Sequence, residues 1–182
     1  DDNSIYLKSR VIQPRTGIDA PTLERLQQVP KERIHVLLAL DRIPKNAERR
    51  ELEKNGINLL AYIHKNAWLA SVSKSNLRQV TQIPLVKWVG EILPEDKLDD
   101  AVKNQDFGNW SYDPVSDSVV LTIMFFKDIS LDDAEKTVLR WGSIIGRVGL
   151  LNAIVASVNS EVISKLAAEN DVVEVGNVIA RI

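Results

Sequence analysis

Asn66-Ala67-Trp68-Leu69-Ala70-Ser71-Val72 is written a second time in the chain, as Asn152-Ala153-Ile154-Val155-Ala156-Ser157-Val158. Five of the seven residues are identical, and the other two stay large and apolar. The offset is 86 residues and holds without a gap from Gly56/Gly142 to Ile92/Val178. Within that window Val86-x-x-Val89-Gly90 matches Val172-x-x-Val175-Gly176. Self-similarity at a fixed period decides architecture before any local reading does. Two copies of a long period predict a duplicated domain, not a solenoid.

Working outward, the first copy predicts strands at Ile34–Leu40, Ile57–Ile63, Ala67–Ser73 and Leu85–Ile92. Lengths of this order, bounded by polar residues and turn formers, favour strand over helix. Pro44 and Gly56 bracket a Glu/Arg/Leu-rich stretch, with proline near a helix start and glycine just past its end. A short helix follows Ser75 or Asn76, with Leu77 and Val80 on one face and Pro84 beyond it. The order is βαββαβ.

The second copy predicts the same six elements: strand Ser118–Phe126, helix Ser130–Trp141, strands Ser143–Leu150 and Ala153–Asn159, helix Ser160–Glu169 and strand Val172–Ala180. The expected fold class is α+β, two tandem ferredoxin-like βαββαβ domains. Each is a four-stranded antiparallel sheet with both helices on one face and the other face uncovered. The domain reading is an N-terminal arm at 1–33, copy 1 at 34–93, an acidic and aromatic linker at 94–117 and copy 2 at 118–182. In the arm, a strand is expected around Tyr6–Ile12 and a helical turn at Thr22–Gln28 with Thr22 as its cap.

Bulk properties remove several function classes. A length of 182 residues allows one large core or two small ones. The net charge of −2 supplies no basic field for nucleic acid or anionic lipid, so neither nucleic acid nor membrane is an expected partner. There are no cysteines, which excludes disulfides and thiolate metal sites. No apolar run approaches the roughly 20 residues that span a bilayer.

For catalysis the inventory is poor. The two histidines, His35 in a strand and His64 at a hairpin turn, share no metal-ligand spacing. There is no G-x-S-x-G elbow and no phosphate-cradling glycine loop. No catalytic residue, metal or cofactor is expected. Asn66 and Asn152 are read as structural, each satisfying backbone groups of its hairpin, and the small Ala67 and Ala153 as letting a helix approach. Trp68 and Trp88 are read as packing in the core, the alternative being that one of them reaches the open sheet face as an interface anchor.

Asn66-Ala67-x-x-Ala70-x-Val72 followed by Val86-x-x-Val89, repeated at Asn152-Ala153-x-x-Ala156-x-Val158 and Val172-x-x-Val175, resembles the propeptide of subtilisin-like serine peptidases, the inhibitor I9 type. The resemblance covers most of residues 34–92 and 118–180. It implies a prosegment of a secreted precursor, its signal peptide already removed. Such a prosegment acts as folding chaperone and inhibitor of the cognate subtilisin-like catalytic domain in cis. It also implies that the open sheet face docks on two peptidase helices, while the C-terminal tail enters the substrate cleft as an added strand. That tail would be Val178-Ile179-Ala180-Arg181-Ile182. In the family, acidic residues just after V-x-x-V meet the N-termini of those peptidase helices. The corresponding residues here are Glu91 and Asn177. The rival expectations are a non-catalytic protein–protein interaction module and a ligand-sensing pair of ferredoxin-like domains.

Overall fold

The computed structural model describes residues 2–178. The chain is α+β, with antiparallel sheets and six α-helices among the described residues. It divides into two units, Asp1–Ile92 and Leu93–Ile182.

In the first unit, β1 (Ile5–Tyr6) and β2 (Val11–Ile12) form a small hairpin, followed by α1 (Ala20–Gln27). Then come β3 (Arg33–Leu40), α2 (Asn46–Lys54), β4 (Ile57–Tyr62), β5 (Ala67–Ser73), α3 (Leu77–Val80) and β6 (Val86–Gly90). The sheet order is β4-β5-β3-β6, antiparallel throughout. The second unit carries α4 (Asp100–Lys103), β7 (Tyr112–Asp113), β8 (Ser118–Phe125), α5 (Leu131–Leu139), β9 (Gly142–Val148), β10 (Ala153–Asn159), α6 (Ile163–Ala167) and β11 (Val172–Asn177). Its sheet order, β11-β8-β10-β9, is the same arrangement, with β7 added beside the start of β8.

Each sheet lays one face on its helices. In the first unit, Ile34, Val36, Leu38 and Leu40 of β3 and Trp68, Ala70 and Val72 of β5 pack with Leu52 of α2 and with Leu77 and Val80 of α3. In the second, Val119, Leu121, Ile123 and Phe125 of β8 pack with Ala134 and Val138 of α5 and with Ile163 and Leu166 of α6. Alternate strand residues point to opposite faces, and the burial of β8 alternates residue by residue. β3 does not alternate: every residue after Arg33 is buried.

That difference overturns the expectation of two uncovered faces. On the far side of the first sheet, Ile5 and Ile12 of the hairpin pack with Leu37, Ala39 and Ala67, and Leu7, Ile63, Leu69, Trp88 and Ile92 join them. No equivalent cluster forms among the described residues of the second unit. The arm segment expected as one strand is therefore two, turned at Leu7–Arg10 by the Leu7 N–H donating to the Arg10 carbonyl at 2.9 Å. The following helix begins earlier than expected, because Asp19 and not Thr22 caps it: the Asp19 carboxylate accepts from the Thr22 N–H at 2.8 Å.

Residues 94–117, read as a linker, lie inside the second unit and repeat the arm. The Val89 N–H donates to the Gly17 carbonyl at 3.0 Å, and the matching Val175 N–H donates to the Lys97 carbonyl at 2.8 Å. Two residues beyond Gly17 stands Asp19; two beyond Lys97 stands Asp99, which accepts from the Val102 N–H at 2.8 Å and caps α4. Leu26 and Val102 carry these helices into their respective cores. The duplicated unit is thus a strand-edge bridge, an aspartate-capped helical turn and then βαββαβ.

The Lys97 side chain is buried where this lead-in crosses the second unit. Its Nζ donates to the Glu169 carbonyl at 2.7 Å. Burial pushes its ammonium down to about 8, against the pull of Asp171 and Glu169.

Candidate functional site

The repeated asparagines hold equivalent corners. Asn66 (φ 63°) and Asn152 (φ 50°) both lie in the left-handed region, which asparagine tolerates better than most residues. Their carbonyls accept from the Leu40 and Phe125 N–H groups at 2.9 and 3.0 Å. Their amides reach past the end of the first strand: Asn66 Nδ2 to the Asp41 carbonyl at 3.2 Å, and Asn152 Nδ2 to the Phe126 and Ile129 carbonyls, both at 2.9 Å. Each asparagine therefore ties the hairpin turn to the loop after the first strand. Ala67 and Ala153 act differently from expectation. Ala67 belongs to the cluster beneath the β1–β2 hairpin, facing away from α2 and α3. Ala153 pairs with Met124 on the corresponding face of the second sheet. Their smallness makes room on the face opposite the helices.

The glycine of V-x-x-V-G has a steric reason in each copy. A Cβ at Gly90 would fall 2.1 Å from Trp88 Cη2, and one at Gly176 would fall 2.8 Å from Asp99 Oδ2. Trp88 lies over the last strand on the face away from the helices, and Trp68 packs in the helix-side core.

Glu91 and Asn177 are both engaged within their own units. Glu91 accepts from Arg25 Nε of α1 at 2.8 Å and forms an ion pair with its Nη2 at 2.7 Å, while Arg10 Nη2 donates to the Glu91 carbonyl at 2.9 Å. The Asn177 N–H donates to Asp99 Oδ2 at 3.1 Å and its Nδ2 to the Asp106 carbonyl at 3.3 Å. Its Oδ1 is buried without a partner. The lead-in helices thus clasp the two positions. Val178 lines the groove described next. Ile179, Ala180, Arg181 and Ile182 lie outside the described residues.

The open face of the second sheet is the candidate site. Thr122 and Met124 of β8, Val155 of β10 and Glu174 and Gly176 of β11 line a groove of about 660 Å³ with Val148, Leu151 and Val178. Asp99 and Asn177 close one end. Leu150, beside Leu151 at the β9–β10 turn, is almost fully exposed. The groove is an aliphatic floor with hydroxyl and carboxylate groups at its rim. It has no arrangement of nucleophile and base. An open face was expected on both sheets, with Asn177 and Val178 among the docking residues; the other lining residues were not singled out, and their one visible sign is that Thr122 and Glu174 stand where the first copy has Leu37 and Trp88.

The histidines are taken up structurally. His64 Nε2 accepts from the Tyr6 N–H at 2.9 Å, so it fastens the hairpin, and His35 is buried in β3. Among the described residues no three His, Cys, Asp or Glu side chains converge to hold a metal ion, and no helix is long and apolar enough to cross a membrane.

A family model described as a domain of unknown function (DUF8729) matches residues 6–93. The match runs from the hairpin through α1 to just past β6, so it takes in the lead-in as well as βαββαβ. No curated protein and no solved structure matches the chain.

Proposed function

We propose that the chain is the tandem prosegment of a secreted subtilisin-like serine peptidase. In this reading it is two ferredoxin-like units without catalytic residues, and the second unit docks on the catalytic domain through its open sheet face. One observation carries the assignment of roles: the first unit's face is filled by Ile5 and Ile12, and the second unit's equivalent face keeps Thr122, Met124 and Val155 half-exposed. An apolar face that the described residues of its own unit leave uncovered favours burial against a partner. Burying a few such aliphatic side chains at roughly 25 cal/mol per Å² is the driving force available, and the edge of a cleft adds main-chain hydrogen bonds to a following tail.

The test is inhibition of a subtilisin-like peptidase by the whole chain, compared with Val155→Asp. The expected result is saturable inhibition that Val155→Asp weakens at least tenfold, since a carboxylate would be buried unpaired in the interface. Equal inhibition by both proteins would move docking away from this face. No inhibition at all would remove the peptidase reading.

A second reading, a non-inhibitory interaction module, draws on the clasped Glu91 and Asn177. In the prosegment family the residues at these positions meet peptidase helices; here Arg25, Asp99 and Asp106 hold them. The inhibition assay separates the two readings: saturable inhibition that Val155→Asp weakens favours the prosegment, and no inhibition at all favours the module.

A further inference from the structure

The groove of the second unit and the hairpin seat of the first are the same place in the fold. Thr122, Met124, Val155, Glu174 and Val178 line the groove. Their counterparts in the first unit are Leu37, Ala39, Leu69, Trp88 and Ile92, all members of the cluster that receives the hairpin. The pairing confirms the match: Leu37 opposes Leu69 and Gly90, and Thr122 opposes Val155 and Gly176. Ala39 opposes Trp88 as Met124 opposes Glu174.

The molecule therefore displays, on one unit, what such a face accepts. The occupant is a two-stranded hairpin whose cross-strand pair, Ile5 opposite Ile12, points into the sheet, with Tyr6 and Val11 outward. A cation, Arg10, reaches the backbone carbonyl of Glu91, the residue that corresponds to Asn177 at the groove's end. The second unit sets two carboxylates along its groove: Asp99, which accepts from the Asn177 N–H, and Glu174, opposite Met124. Opposite charge on an occupant would be favoured there by complementarity.

We propose that the groove on the second sheet binds an extended or hairpin peptide segment of a partner protein. That segment presents two neighbouring branched aliphatic side chains to Met124 and Val155 and a lysine or arginine to Glu174. Exchanging Leu37 for Thr122 and Trp88 for Glu174 explains why the described residues of this copy put no cover on the face: the rim is polar enough to be wetted when empty. The proposal rests on the reading of this face as a docking surface and not on the partner being a peptidase.

The test uses a property of the sequence: Met124 is the only methionine of the chain. Protein labelled with ¹³C at the methionine methyl gives one signal, and that signal sits in the groove. The probe is a head-to-tail cyclised peptide of the chain's own residues 3–14, closed because an isolated hairpin is marginal in water. The expected result is a saturable shift of the Met124 methyl, with a dissociation constant on the order of 10⁻⁴ M. Glu174→Lys should weaken it at least fivefold at low salt. Restoration is expected on exchanging Lys8 and Arg10 of the peptide for Glu. A peptide carrying Asp at both Ile5 and Ile12 should leave the signal unmoved. An unmoved signal with the parent peptide, or an equal shift with the doubly substituted one, overturns the proposal. Peptide binding by a chain that inhibits no subtilisin-like peptidase would keep this inference and remove the prosegment reading; inhibition without peptide binding would do the reverse.

Discussion

The two units share one plan down to the cap of the lead-in helix, yet they bury their sheets differently. In the first, β3 is apolar on both faces and the β1–β2 hairpin lies over the side away from the helices. In the second, β8 is apolar on one face and mixed on the other, and no hairpin covers it among the described residues. The difference teaches that duplication copied the scaffold and left the outer face free to diverge. One copy invested that face in its own stability, and the other kept it as a surface.

Matched substitutions break the comparison most sharply. Leu37 and Thr122 occupy the same strand position, one 1% exposed beneath the hairpin and the other half-exposed. Leu37→Asp should cost the first unit more than about 4 kcal/mol, since it buries an unpaired carboxylate and removes the contact with the hairpin. Thr122→Asp should cost the second unit less than about 1 kcal/mol. Hydrogen exchange followed by mass spectrometry reads each unit separately. Similar losses in the two would mean that the second face is also a covered core.

Lys97 sharpens the contrast in a different way, because no buried lysine is found among the described residues of the first unit. Its folded value of about 8 lies below the ordinary lysine value, so the folded state binds fewer protons than the unfolded state between about pH 8 and 10.5. The cost of burying the charge is present in full below pH 8 and is relieved as pH rises through that window. The second unit should therefore gain on the order of 2–3 kcal/mol from pH 7.5 to pH 10, with the Nζ–Glu169 bond retained by the neutral amine. The first unit should show no such rise, and Lys97→Met should flatten the profile of the second. An unchanged profile in that variant would place the linked group elsewhere.

Much of this plan was legible in the sequence. Repetition of Asn-Ala-x-x-Ala-Ser-Val set the register of two copies, but which sheet is covered twice was not legible: Ile34–Leu40 carries His35 and Ser118–Phe125 carries Val120 and Met124, so neither strand shows a clean pattern. The hairpin itself was hidden, because its strands are two residues each and no glycine or asparagine marks its turn, Leu7-Lys8-Ser9-Arg10. The repeated lead-in was hidden for another reason. Between Gly17–Thr22 and Lys97–Val102 only the aspartate is identical, and the stretch that follows is longer in the second copy. What the fold preserved there was a backbone bridge and a cap, neither of which needs a particular neighbour. An open face was expected on both sheets; the difference between them was least legible, since a cover is supplied by residues distant in sequence.

The smallest effect concerns the two asparagines, and it tests how alike the copies are where they look most alike. Both residues are left-handed, so replacing either by leucine should strain the turn by about 1–2 kcal/mol. The amides differ. Asn152 donates to two carbonyls at 2.9 Å, whereas Asn66 donates to one at 3.2 Å from a turn whose N–H groups also reach the Tyr62 hydroxyl. Substitution by glycine keeps the left-handed backbone without strain and removes only the side-chain bonds. Asn152→Gly should therefore cost about 1 kcal/mol and Asn66→Gly only a few tenths. Urea unfolding of both pairs, with each unit followed by its own amides, measures the two contributions apart. Negligible losses for both glycine variants would show that the backbone conformation, and not the amide, is what the repeat holds in common. A loss with glycine as large as that with leucine at Asn152 would show instead that its side-chain bonds to the Phe126 and Ile129 carbonyls account for the whole effect.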